Sequence, residues 1–196
     1  MHLALVILQG AGLAAACGIR PFLPALLAGA LASANLGVDF NHTDYAFLEQ
    51  AGFLLAVVVA LVGTVVLERR AGATAFVGGP AGAAVAGIGI GLGALLFAGS
   101  LADEHHAAWP GLIGGVACAA LAQAATRGLF ARAATRLDEQ ARAALPLYAD
   151  ASSLALAGLA VLAPPVSILA LGFFIWLLLG ARRRADEKHA GLRVLK

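Results

Sequence analysis

Charged side chains are scarce in this 196-residue chain: only 12% of the residues are Asp, Glu, Lys or Arg, and 61% are hydrophobic. A typical soluble domain has about 25% charged and about 45–50% apolar residues. So few charges cannot cover the surface of a water-soluble globule, and the mean hydropathy of +0.90 agrees. The composition excludes a soluble protein. It predicts an all-α, polytopic integral membrane protein with a single domain over residues 1–196.

Cysteine is also nearly absent. Cys17 and Cys118 lie far apart in apolar stretches, a spacing that fits neither a disulfide framework nor a zinc site. We expect both to be small buried hydrophobic residues. The adjacent histidines of Asp103–His106 lack the spacing of a metal-binding helix motif. The sequence therefore predicts no metal and no cofactor.

No group of residues in the sequence has the pattern of a catalytic site. There is no nucleophile elbow, no pair of membrane carboxylates and no helix with metal ligands. Glu68 precedes Arg69 and Arg70, where a local ion pair is the expected arrangement. We predict a protein that is not an enzyme and does not bind nucleic acid, with membrane lipids as its surroundings.

Long hydrophobic stretches are abundant, and they occur in five regions. These are Leu3–Leu36, Leu48–Leu67, Phe76–Leu101, Trp109–Phe130 and Ala149–Ala181. A bilayer core needs about 20 helical residues, so each of the three middle regions fits one crossing. Prolines split the first and last regions into short halves. The sequence predicts about seven short transmembrane helices, or five regions of which the first and last are broken or re-entrant helical hairpins.

Arginine is absent from one set of loops and concentrated in the other. If every segment crosses, one side holds Arg20, Arg69–Arg70, four arginines between 127 and 142, and Arg182–Arg184, whereas the other side holds acidic residues. Positively charged loops stay cytoplasmic. We therefore predict a bacterial inner membrane protein with the N-terminus outside and the C-terminus inside. Residues 131–146 would be a cytoplasmic helical extension and residues 182–196 a basic cytoplasmic tail.

Glycine recurs along residues 78–99 at helical spacing. Gly87 and Gly91 share one face, and Gly111 and Gly115 repeat the spacing in the next helix. Small residues four apart let membrane helices approach closely. The pattern predicts that the fourth helix is central. It also predicts that a homo-oligomer forms through the faces of Gly87, Gly91, Gly111 and Gly115, and a backbone-lined path is the alternative reading.

The first proline break is the leading candidate for a binding site. Pro21 directs Arg20 away from helical geometry, and Gly18 precedes them. Arg20 would lie between the end of one helix and the N-terminus of the next, where free N–H groups attract anions. The sequence predicts either an anion site within the membrane or a positive charge in a tight cytoplasmic turn.

Pro164 and Pro165 form the matching break near the other end of the chain. Short, interrupted segments in both halves of a membrane protein point to a transport site. Asp150 and Ser153 precede this break and would contact a substrate or cation if buried. Helix N-capping is the alternative role for Asp150.

Three segments carry a resemblance to a known family. They are "GIRPFLPALLAGALA" near the N-terminus, "GGPAGAA" before the fourth helix and "HAGLRVLK" at the end. With these segments the chain resembles the bacterial membrane proteins catalogued as domain of unknown function 4126. The resemblance implies a polytopic membrane protein and supplies no activity.

The sequence favours a small transporter or channel for a small solute or ion. In this hypothesis the two broken regions meet near the bilayer centre, and Arg20 holds an anionic group. A non-catalytic membrane scaffold or assembly protein is the first alternative, with the glycines serving packing alone. A lipid-binding or lipid-scrambling protein is the second.

Overall fold

The computed structural model describes residues 2–72, 79–103 and 105–192, and these residues are helical without strands. Gly78, Glu104 and residues 193–196, which entered the predictions above, lie outside the described residues. The long helices are α1 (His2–Ile19), α2 (Phe22–Ser33), α3 (Ala51–Ala71), α4 (Pro80–Asp103), α5 (Trp109–Ala134), α7 (Leu145–Leu162) and α8 (Val166–Leu192). A 3₁₀ helix, Ala46–Glu49, precedes α3, and the short α6 (Glu139–Ala143) precedes α7. The predicted all-α fold is confirmed.

Proline and glycine define several helix boundaries. α1 ends at Ile19 because Pro21 follows, and the last backbone hydrogen bond runs from the Arg20 amide to Ala16, 3.2 Å away. α3 ends before Gly72, whose φ of +80° is the left-handed geometry that favours glycine. α5 and α7 each carry proline in the first turn, where the missing N–H costs no helical hydrogen bond.

Among the described residues, four helical segments are long and apolar enough to cross a membrane: Ala51–Arg70, Pro80–Asp103, Trp109–Ala134 and Glu139–Leu162. The chain is therefore a multi-pass membrane protein. The apolar parts of α1, α2 and α8 are shorter. α2 has 12 residues, which extend over about 18 Å at 1.5 Å per residue. Whether the hairpins that contain these helices cross or re-enter stays a prediction.

The centre of the bundle is α1, which packs against α4, α5, α7 and α8. Its buried segment consists of small residues: Ala14, Ala15 and Ala16 have no exposed surface, and Cys17 is 1% exposed. Small side chains let several backbones approach one helix at once. The prediction that the fourth helix is central is therefore wrong. The expectation of a buried Cys17 is confirmed, and Cys118 is half-buried.

The glycines of α4 and α5 pack within the chain on one face only. A Cβ at Gly89 would lie 2.8 Å from the carbonyl oxygen of Cys17, and a Cβ at Gly115 would lie 2.6 Å from the Cα atom of Ala94. Gly111 meets α4 in the same way. Gly111 and Gly115 are thus internal contacts, and their predicted role in an oligomer face is wrong.

The opposite glycine face of α4 is open in the single chain. A Cβ at Gly87 or Gly91 would meet nothing within 4 Å. Neighbours on both faces of α4, which the spacing predicted, are therefore not found within the described residues. An oligomer through Gly87 and Gly91 stays a prediction.

The arginine-containing connection between α5 and α7 contains less helix than the predicted helical extension over residues 131–146. α5 ends at Ala134, and a turn leads to α6. Asp138 caps α6 by accepting a hydrogen bond from the Ala141 amide at 2.8 Å. Residues 131–146 therefore comprise the end of α5, a capped turn, α6 and the first two residues of α7. Beyond residue 181, α8 continues to Leu192, so most of the predicted tail is helical.

Candidate functional site

Three helices bring their charged residues together at the first proline break. Nη1 and Nη2 of Arg20, after α1, each lie 3.2 Å from a carboxylate oxygen of Glu68, near the end of α3. Nε of Arg20 lies 3.0 Å from Oδ1 of Asp150, in α7. We call Arg20, Glu68 and Asp150 the ionic triad. Bidentate guanidinium–carboxylate pairs combine charge with fixed geometry, so the triad fixes the ends of three helices relative to one another.

The triad is partly buried: the side chains of Arg20, Glu68 and Asp150 are 21%, 11% and 30% exposed. The prediction of a local ion pair between Glu68 and its neighbours Arg69 and Arg70 is wrong, because Glu68 reaches across to another helix. Since every nitrogen of Arg20 already faces a carboxylate oxygen, the expected anion site at this guanidinium needs revision.

Asp150 is an interior residue of its helix. It lies in the second turn of α7, so the N-cap interpretation is wrong. The backbone carbonyl of Asp150 accepts a hydrogen bond from the hydroxyl of Ser153 at 2.9 Å. Ser153 is fully buried and satisfied by this bond. Its role is therefore internal to α7, and the binding role predicted for Ser153 has no support in its contacts.

A cavity of about 730 Å³ opens beside the ionic triad. The ends of α1, α3 and α5 and the beginnings of α4 and α7 form its wall, together with α6. Most of the wall is apolar, and its larger members are Ile19, Pro21, Val85, Phe130, Leu145 and Pro146. Pockets of this size and character accommodate small organic ligands.

The charged residues of the cavity wall differ in their exposure to solvent. Arg20 and Glu68 belong to the partly buried triad, whereas Arg127 and Arg142 are exposed. Arg142 donates a hydrogen bond to the Leu137 carbonyl at 3.0 Å. Exposed charges are screened by salt more strongly than partly buried ones. The triad therefore dominates the electrostatics of the inner wall.

The predicted site residues divide between two ends of the bundle. Gly18, Arg20 and Pro21 line the main cavity. Asp150 does not line it but forms an ion pair with Arg20. Pro164 instead lines a second cavity of about 230 Å³, together with residues from the beginning of α1. Pro165 is its neighbour in the turn between α7 and α8. The two broken regions do contact each other, since α1 packs against both α7 and α8. The proline breaks themselves lie at opposite ends of the bundle, because α1 and α7 are antiparallel.

Gly18 has a structural reason to lie beside the site. A Cβ at this position would fall within the backbone of Ala119 in α5. The absence of a side chain lets α1 touch α5 at the cavity floor, close to the point where Arg20 leaves the helix. Gly18 thus positions Arg20, and Pro21 ends the helix that carries it.

Glu68, Gln123 and Thr126 are the residues of the site that the sequence reading missed. Glu68 is the lone carboxylate of the apolar α3, and that isolation was the available signal, since an ionisable residue near a membrane segment usually has a partner. Gln123 and Thr126 carried no comparable signal. Only the packing of α5 places them on the cavity wall.

A scan against family models matches residues 7–184 to the family described as domain of unknown function (DUF4126). The chain belongs to this family. The match extends over every residue of the ionic triad and the cavity wall, so the site of this DUF4126 protein lies within the family's own region. It also confirms the resemblance seen in the sequence. Searches of curated proteins and of solved structures found no match.

Proposed function

We propose that this DUF4126 protein is a small transporter and that the 730 Å³ cavity is its substrate site. The observation that carries the proposal is the position of Arg20 and Glu68, two members of the ionic triad, on the wall of a ligand-sized, mainly apolar cavity. Ionisable residues in membrane segments usually mark substrate or ion pathways. The triad joins α1, α3 and α7. A ligand in the cavity would contact these helices, which must separate for a transport pathway to open.

The charge of the triad favours a positively charged solute. One guanidinium faces two carboxylates, so the fully ionised triad carries one negative charge in excess. In a partly buried, weakly polar site that excess attracts a cation. The apolar wall adds a preference for a molecule that also buries hydrocarbon surface. The substrate class proposed here is therefore a small lipophilic cation, in place of the anion predicted from Arg20 alone.

Equilibrium dialysis of the purified protein against radiolabelled tetraphenylphosphonium tests the proposal. We expect saturable binding by the wild-type protein. Val85→Trp, which fills the cavity, and Glu68→Gln, which removes the excess charge, should each weaken binding by about tenfold or more, which is about 1.4 kcal/mol. Val59→Trp is the matched control, because Val59 lies 63% exposed on α3 and away from the cavity.

Transport is measured by uptake of the same cation into proteoliposomes preloaded with unlabelled cation. Vesicles with the Val85→Trp variant give the passive leak. We expect exchange above this leak only for the wild type and the Val59→Trp control. Equal uptake by wild-type and Val85→Trp vesicles, or equal binding in dialysis, would contradict the proposal.

A second candidate function, lipid binding, rests on Arg127 and Arg142. These exposed arginines lie above an apolar wall, an arrangement that suits a phosphate head group with its acyl chains in the cavity. Dialysis in the presence of anionic phospholipid separates the two candidates. If phospholipid displaces the cation, and if Arg142→Gln abolishes this displacement while Glu68→Gln preserves it, lipid binding is favoured.

A purely structural role of the protein predicts that Val85→Trp changes only the stability.

A further inference from the structure

The ionic triad has two members on the cavity wall and one outside the cavity lining. Arg20 and Glu68 line the cavity, whereas Asp150 binds the guanidinium from α7 and is not part of the cavity lining. Arg20 is therefore the common partner of one carboxylate inside the site and one outside it. A change in the charge of the outer carboxylate must alter the electrostatic field within the cavity.

The two carboxylates are held unequally. Both oxygens of Glu68 pair with terminal nitrogens of Arg20, whereas the described contacts of the Asp150 carboxylate involve Oδ1 alone. Neutralising Glu68 would weaken two charge-assisted hydrogen bonds, and neutralising Asp150 would weaken a single ion-pair contact. Asp150 is also the more exposed of the two, at 30% against 11%. Asp150 is thus both the less strongly held and the more accessible carboxylate.

The surroundings of Asp150 hold few other ionisable groups. α2 and the described side chains of α8, over residues 166–181, contain none. Arg20 comes from α1 and Glu68 from α3, while Arg142 on α6 and Arg127 on α5 are exposed on the cavity wall. Tyr148 lies on the exposed surface of α7 itself. The negative excess is therefore confined to the partly buried triad, whereas the exposed part of the cavity wall carries the positive charges of Arg127 and Arg142.

We propose that Asp150 is a proton-binding site coupled through Arg20 to the cavity, so that the protein exchanges a proton for its cationic solute. When Asp150 is protonated, Arg20 and Glu68 remain as a neutral pair, and the cavity loses its attraction for a cation. When a cation occupies the cavity, it takes over the neutralising role and the proton leaves Asp150. Thermodynamic reciprocity requires that the two effects be equal. The exchange rests on the proposed function, but the proton site does not.

The proton site is tested without any ligand. Infrared difference spectra of the purified protein, recorded from about pH 4 to about pH 9 to include the ordinary carboxyl range, report the carbonyl stretch of protonated carboxyl groups. We expect a titrating band in the wild type that disappears in Asp150→Asn. Glu139→Gln, which removes an exposed carboxylate on α6, should keep the band, and Asp150→Glu should retain a shifted one.

A band that survives unchanged in Asp150→Asn overturns the inference, as does the absence of any wild-type band that Asp150→Asn removes. Elution as a single species in size-exclusion chromatography confirms that each variant is folded. If Asp150→Asn does not fold, Asp150→Glu decides: an unshifted band places the proton elsewhere and overturns the inference.

The coupling is tested by the pH dependence of tetraphenylphosphonium affinity. We expect wild-type affinity to rise by up to about tenfold per pH unit, because one proton is released per cation bound. Asp150→Asn should bind with an affinity that does not change with pH. Binding without pH dependence in the wild type overturns the coupling and leaves the proposed function standing. Absence of binding together with a band that depends on Asp150 overturns the cation substrate and the exchange, and leaves the proton site standing.

Discussion

At the scale of the residue, the ionic triad depends on Arg20, which contacts both carboxylates. A guanidinium presents its donors in a planar fork that matches a carboxylate. Here Arg20 uses the terminal nitrogens for Glu68 and Nε for Asp150. A single side chain thus joins α3 and α7 to the end of α1. Lysine offers a point charge without this fork and could not hold both partners in the same geometry.

Removal of the arginine alone should cost more than removal of all three charges. In Arg20→Ala, Glu68 and Asp150 are left as neighbouring carboxylates without a cation. Because the triad is partly exposed, we expect a loss of about 1–3 kcal/mol in the free energy of unfolding. The triple variant Arg20→Ala/Glu68→Gln/Asp150→Asn should recover most of that loss.

Thermal unfolding in detergent, with Arg69→Ala as the control, measures these differences. Arg69 is exposed on α3 next to the triad residue Glu68, so its removal should have little effect. A triple variant as unstable as Arg20→Ala would show that the ion pairs do not account for the stability of this end of the bundle.

At the scale of the element, the helices differ greatly in how much of their surface the bundle covers. The second half of α1 is buried, whereas α3 contacts mainly α2 and the 3₁₀ helix before it. Leu55 and Val59 on α3 are 68% and 63% exposed. The Arg20–Glu68 pair is therefore a principal link between the far end of α3 and the bundle. A helix with so little packing is suited to movement beside the cavity.

Glycine substitutions should separate the packed and open helix faces. Gly18→Ala and Gly115→Ala would each place a Cβ against the backbone of a neighbouring helix. We expect each to cost about 1–3 kcal/mol of stability, as overpacking generally does. Gly87→Ala and Gly91→Ala meet open space in the single chain and should change stability by no more than about 1 kcal/mol.

The midpoint of thermal unfolding in detergent distinguishes the two groups. A large loss at Gly87 or Gly91 would show that a neighbour absent from the single chain covers that face, and cross-linking would then test for a second copy. Wild-type stability of Gly115→Ala would contradict the close approach of α4 and α5.

At the scale of the whole molecule, charge is distributed unevenly along the bundle axis. The cavity, the ionic triad and the exposed arginines occupy one end. The acidic loop that follows α2 packs at the other end, where Phe40 lies against Gly99 near the end of α4. This polarity agrees with the loop assignment made from the sequence. The orientation of the bundle in the membrane stays a prediction.

Cysteine labelling should place the arginine end in the cytoplasm. In a Cys17→Ala/Cys118→Ala background, we expect a membrane-impermeant thiol reagent to modify Asn41→Cys from outside intact cells. Arg136→Cys should react only in inverted vesicles, because positively charged loops remain on the cytoplasmic side. Both positions are exposed. The reverse labelling pattern would show that the bundle has the opposite orientation. Modification of both positions from the same side would show that the two loops do not lie on opposite sides of the membrane.

The helices and one residue of the ionic triad, Arg20, were predictable from the sequence. Helix breaks at Pro21 and Pro165 were predictable because proline acts on its own neighbours. Arg20 was identified because a charge beside a proline within an apolar stretch is conspicuous. Glu68 was assigned to Arg69 and Arg70, since adjacent residues are the only partners that a sequence displays. The partner that it actually has lies 48 residues away.

Composition alone determined that this chain is helical and membrane-embedded, because so few charges and such long apolar stretches leave no other stable arrangement for the backbone. The tertiary structure alone decided which helix lies at the centre, which glycines are covered and which carboxylates Arg20 binds. These outcomes depend on how helices pack side by side, and helices of similar apolar composition pack in many ways until small residues and ion pairs select one. The cavity beside the triad results from that selection, since no segment of the sequence contains it.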